Sequence, residues 1–114
     1  MNYTIHTPSA VRLKKEILDC VTKKSDENGK GITTWQCVDT DGGESVLVHT
    51  TDQWAEKGCI ALKQDPGSNI LQVRFFYWDS CDDRSNDDDR YMLGQFTELL
   101  LMHFWYFIDK IIVE

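Results

Sequence analysis

The residues able to do chemistry in this sequence are three histidines, His6, His49 and His103, and four cysteines, Cys20, Cys37, Cys59 and Cys81. A histidine beside a cysteine would supply a base for a thiolate nucleophile, and Cys37, Cys59, His49 and His103 are the members of the set that a fold could bring together. No local signature joins them. Cys37 and Cys59 lie mid-strand among apolar residues, where a thiol behaves as a small core hydrophobe. His103 falls between Met102 and Phe104 in an apolar helical stretch, which reads as an interior histidine with a partner. Glu98 is a lone helical carboxylate without an obvious second acid. The common phosphate-loop, dinucleotide, metalloprotease and serine-hydrolase motifs are absent.

The second feature with chemical potential is the aspartate run Asp79, Asp82, Asp83, Asp87, Asp88 and Asp89, diluted only by Arg84 and Arg90. An EF-hand counted from Asp82 places Asp87 where glycine is needed and Leu93 where the closing glutamate is needed, so the calcium cage fails at both positions. No cysteine pair has C-x-x-C spacing, and no histidine stands at zinc-finger distance from one. These patterns give no metal site and no cofactor. The acidic run reads instead as a solvated loop leading into a helix, its carboxylates set against the positive end of the helix dipole.

The formal charge is −7, from 12 basic and 19 acidic residues. Residues 1–24 are locally basic, with Arg12, Lys14, Lys15, Lys23 and Lys24 against Glu16 and Asp19, so the acidity is concentrated in the remainder. A surface of this sign repels phosphate backbones and anionic lipid, which counts against nucleic acid and membrane as partners. It permits a protein partner with a basic surface. No basic segment followed by an apolar stretch opens the chain, so the expectation is a cytoplasmic protein with reduced thiols.

The elements that must position these residues follow from periodicity. Asn2–His6 suits a short strand. Thr7 and Pro8 read as an N-cap and first helical residue, and Ala10, Leu13, Ile17 and Val21 recur at helical spacing to about Lys24. Residues 32–78 read as a β-meander with strands near 32–38, 44–51, 57–63 and 69–78. Its turns fall at Asp39-Thr40-Asp41-Gly42-Gly43 and Asp65-Pro66-Gly67-Ser68. The last strand alternates most clearly, with Leu71, Val73, Phe75 and Tyr77 on one face and Ile70, Arg74, Phe76 and Trp78 on the other. A second helix starts near Asn86 or Asp87, with Leu93, Phe96, Leu100 and Phe104 at three- and four-residue steps. Beyond Phe104 the chain either continues as helix or turns into a final strand, which Ile111-Ile112-Val113 favours slightly. The expected fold is a single α+β domain over residues 1–114, an antiparallel four- to five-stranded meander with the N-terminal and C-terminal helices packed on one face.

These readings support a protein-interaction module of inhibitor, chaperone-like or immunity type more than any catalyst. The candidate partner-binding residues are Trp35, Arg74, Phe76 and Trp78 on the sheet face turned away from the helices, with Asp87, Asp88 and Asp89 of the acidic run. Trp35 belongs to that face only if the strand register turns it outward. Aromatic side chains beside an arginine have the composition of interface hot spots. The apolar run Leu99–Ile108 is too short to span a bilayer, and Trp105 and Tyr106 within it are the candidates for self-association as a homodimer. The alternative is a small-ligand-binding domain with a pocket between the C-terminal helix and the sheet, near Phe96, Leu100 and Tyr77. An enzyme of unfamiliar type using His49, His103 or a cysteine ranks third.

Overall fold

A computed structural model describes residues 2–64 and 67–114 of the 114-residue chain. The protein is α+β. Among the described residues, six strands form one antiparallel sheet: β1 (Asn2–His6), β2 (Trp35–Asp39), β3 (Ser45–His49), β4 (Gly58–Gln64), β5 (Ile70–Tyr77) and β6 (Lys110–Val113). Their spatial order is β2-β3-β4-β5-β1-β6. The expected meander is present as β2 to β5. Two strands are added beyond it, because β1 pairs with β5 on one side and β6 on the other.

The helices are α1 (Ala10–Lys23), the single-turn α2 (Asp52–Ala55), unforeseen in the sequence, and α3 (Asp88–His103). The capping residue of α1 is Ser9 rather than Thr7: its hydroxyl accepts the Arg12 N–H at 3.3 Å. Thr7 still belongs to the sheet side of the boundary, since its own N–H reaches the Asn69 carbonyl at 2.9 Å. At the other end of α1, Lys24 adopts the left-handed conformation and returns its N–H to the last helical carbonyls, a C-terminal closure more often made by glycine. Helix α3 stops at His103 and a short 3-10 turn, Trp105–Phe107, leads into β6. The β-branched Ile111-Ile112-Val113 run therefore ends the chain as a strand.

Alternation decides the layers. Cys37, Leu47, Ile60 and Phe75 are cross-strand neighbours in successive pairs, so their row faces one side of the sheet. Helices α1 and α3 cover that side. Leu13, Ile17 and Val21 from α1 and Met92, Phe96 and Leu100 from α3 join Ile5, Leu47, Ile60, Leu71 and Val73 in one buried core. The hairpin between β2 and β3 closes as expected around Gly43, whose φ of 80° suits a residue without a Cβ and whose N–H donates to the Thr40 carbonyl at 2.9 Å. Of the second expected turn, Asp65 and Pro66 lie outside the described residues. Among the described residues no helix is long and apolar enough to cross a membrane.

Candidate functional site

On the opposite side of the sheet neither α1 nor α3 lies over the strands, and only Ala55 of the single-turn α2 reaches its apolar cluster. On β5 the outward positions are Ile70, Gln72, Arg74, Phe76 and, just past the strand, Trp78, while Cys59, Ala61 and Lys63 occupy the matching positions on β4. Val46 and Val48 of β3 complete a small second apolar cluster with Cys59, against which Ala55, Ala61 and Trp78 pack. This cluster floors a groove of about 350 Å³ whose lining includes Glu44, Val46, Cys59, Lys63, Arg74 and Phe76. Phe76 is 48% exposed although it is one of the largest side chains on the face. Trp78 is held by its indole N–H, which donates to the Ala55 carbonyl at 2.8 Å. Burial pushes the Cys59 thiol up to about 11, so the groove floor carries a protonated thiol rather than a nucleophile.

Trp35 does not belong to this surface. It pairs with His49 in a register that puts it on the same side as Cys37, beneath the helices. There it is only 1% exposed and meets Phe96 edge-to-face at 5.6 Å between ring centroids. A one-residue register difference would have turned it outward.

The acidic run is likewise divided by the fold. Asp88 is buried rather than presented: its carboxylate accepts from Lys57 Nζ (3.2 Å), the Tyr77 hydroxyl (2.8 Å) and the Ser85 N–H (2.8 Å). Burial pushes the Asp88 carboxyl up, but these three donors outweigh it and hold the group below the usual carboxylate range. Burial and the hydrogen bond to Asp88 push the Tyr77 hydroxyl up to about 12. Lys57 also donates to the Asp83 carbonyl at 2.6 Å, and Arg84 lies over the Tyr77 ring at 4.6 Å. The run is thus a loop pinned from inside at Asp88. Asp87 is exposed beside Arg90, and Asp89 is half-buried with its carboxylate accepting the Arg90 N–H at 2.8 Å.

Trp105 and Tyr106 are exposed beyond the C-terminal end of α3, with Leu101 and Met102 exposed on its last turn. The Tyr106 hydroxyl donates to Glu27 at 3.1 Å.

The histidines are not paired with thiols by any hydrogen bond among the described residues. His49 Nδ1 accepts the Thr51 N–H at 3.0 Å, and burial lowers its pKa. His103 has a partner that sequence reading did not find: Asp26 Oδ2 lies 2.7 Å from its Nδ1, with both side chains buried. The other Asp26 oxygen accepts the N–H groups of Asn28 and Lys30 at 2.9 and 2.8 Å. The His103 hydrogen bond, outweighing an opposing effect of burial and assisted by these two N–H groups, holds Asp26 below the ordinary carboxylate range. Asp26 is therefore ionised and His103 Nδ1 is the donor. Phe96 and Leu100, expected near a ligand pocket, are fully packed in the core. A cleft of about 260 Å³ lies instead between α3 and the segment Gly31–Trp35, with His103 in its wall.

No protein-family model matches this chain, and neither a curated protein nor a solved structure is detectably similar to it.

Proposed function

We propose that the protein is a protein-interaction module, of inhibitor, chaperone-like or immunity type, that docks through the outer face of its sheet. The observation that carries this reading is the helix-free groove with Phe76 half exposed at its rim and an apolar floor of Val46, Cys59 and Ala61. An aromatic side chain next to an arginine, over apolar ground, is the composition that concentrates binding energy. Arg74 and Lys63 favour a carboxylate from the partner at the centre of the groove. Immediately past Trp78, Asp79, Asp82 and Asp83 are exposed and favour basic side chains. The partner that fits is a protein bringing an apolar anchor flanked by both signs of charge. A reducing, cytoplasmic setting completes the reading and accords with the four free thiols.

Affinity capture from the native host with the wild type, with Phe76→Ala plus Arg74→Glu, and with Val11→Ser as a control on the helix side tests this. The expected result is one protein retained by wild type and control and lost, by at least tenfold, from the double variant. Equal recovery by all three would show that the outer face is not the docking surface.

A second proposal concerns self-association. Trp105 is 64% and Leu101 58% exposed, an apolar surface separate from the groove. Sedimentation is expected to show a dimer that Trp105→Ser dissociates; a wild-type monomer at high concentration ends this proposal alone.

A further inference from the structure

The Asp26–His103 pair does more than tie the loop after α1 to the end of α3. With its Nδ1 proton committed to Asp26, the ring directs Nε2 away from that carboxylate. Among the described residues, the buried side-chain polar atoms lacking a partner are Thr7 Oγ1 and Gln64 Oε1. Among the described residues Nε2 has no hydrogen-bond partner, and it is not one of those sealed atoms, so it keeps access to the cleft that His103 lines. The ring is 95% enclosed and fixed from behind by a carboxylate that itself holds two backbone N–H groups. That is the construction of a preorganised hydrogen-bonding group, in which orientation is settled before a ligand arrives.

The rest of the cleft sets what such a ligand must be. Its wall has Gln95, Glu98, Leu99 and Met102 from α3 facing Thr33, Thr34 and Trp35 across the opening. Glu98 supplies a carboxylate, and among the described residues no lysine or arginine lines the cleft. Counted with Asp26 behind the ring, the charge around it is negative whichever protonation state the imidazole takes. Net negative charge with no lysine or arginine beside it selects a hydrogen-bond-donating cation over an anion. The volume, about 260 Å³, is near the lower end of small-molecule sites and suits a fragment-sized molecule. The apolar portions of Ile32, Leu99 and Met102 leave room for a short hydrocarbon tail.

We propose that this cleft is a binding site for a small organic amine, its ammonium group received by the Glu98 carboxylate beside the fixed His103 ring and its tail laid against Leu99 and Met102. The site is on the helix side of the sheet, remote from the groove proposed for protein docking, and stands or falls separately from it.

Three probes with the same four-carbon tail test the assignment: n-butylamine, butan-1-ol and sodium butyrate, each titrated into the ¹⁵N-labelled full chain at constant pH and ionic strength. The expected result is saturable shifts from n-butylamine confined to the amides of residues 31–35 and 95–103 and to the His103 ring nitrogens, weaker shifts from the alcohol and none from butyrate. Glu98 is exposed, so Glu98→Gln leaves the fold intact and is expected to weaken amine binding roughly tenfold, the loss of one charge-assisted hydrogen bond. Asp26→Asn, checked for folding by its amide spectrum, is expected to weaken it as well by releasing the ring. Butyrate binding as tightly as the amine, no saturable shift in the cleft, or an affinity unchanged by Glu98→Gln would each overturn the proposal.

Discussion

Lys57 Nζ stands 3.2 Å from Asp88 Oδ2 inside the protein, joining the start of β4 to the first residue of α3. Both side chains are at most one-tenth exposed. The pair is what fastens the acidic loop to the sheet, because Asp88 also takes the Tyr77 hydroxyl and the Ser85 N–H. The loop is presented to solvent by a carboxylate that is itself hidden.

Removing Asp88 leaves the Lys57 ammonium and the Tyr77 hydroxyl in a buried place without their acceptor. Asp88→Ala is expected to lower the unfolding free energy by about 3 kcal/mol. Asp87→Ala, one residue earlier and exposed, is expected to change it by less than about 0.5 kcal/mol. Urea denaturation of the two variants side by side measures the contrast, and equal losses would contradict the buried placement of Asp88.

Asp26 and Asp88 are both held below their ordinary carboxylate pKa in the folded protein. A depressed folded pKa contributes stability that is complete above the unfolded value, about 3.9, and disappears as pH falls through it toward the folded value. The wild type is therefore expected to lose stability steeply below about pH 4. Asp26→Asn and Asp88→Asn should each be less stable at neutral pH and show a shallower acid limb. Denaturation midpoints measured from pH 7 to pH 3 check the sign, and an unchanged slope in both variants would contradict it.

Gly58 sits where β4 begins, and a Cβ there would run into the Phe76 carbonyl oxygen and come within 2.9 Å of the Phe75 ring. Backbone and a packed aromatic cannot yield as a flexible side chain does. Gly58→Ala is expected to cost about 2 kcal/mol from overpacking and to shift the amide resonances of β4 and β5 around Cys59 and Phe76. A neutral thermal shift would show that the two strands can separate there without loss.

The parts of this fold that sequence made legible are those where one residue type repeats with one period. The alternation from Ile70 to Trp78 identified β5 and both its faces, and Ala10, Leu13, Ile17 and Val21 identified α1, all four of which are buried. The Asp41-Gly42-Gly43 turn was equally direct. What escaped was set by contacts between distant segments. Trp35 lies at the start of β2, where its side depends on pairing with His49 and not on its neighbours in sequence. Asp88 looked like one solvated aspartate among six, because nothing local distinguishes it from Asp87; only Lys57, from the turn before β4, does. Asp26 and His103 are 77 residues apart and meet because a loop folds back on α3. The placement of β1 between β5 and β6 has the same origin, since a five-residue strand carries no information about which edge it joins.

We propose that the outer sheet face, with Phe76 at its rim, meets a protein partner. A photo-crosslinking amino acid placed at position 76, and for comparison at position 11 on the exposed side of α1, tests it in the living host. The expected result is a discrete, single-mass adduct from position 76 that Arg74→Glu diminishes, and none of that mass from position 11. Adducts of the same mass from both positions, or none from position 76, would contradict it.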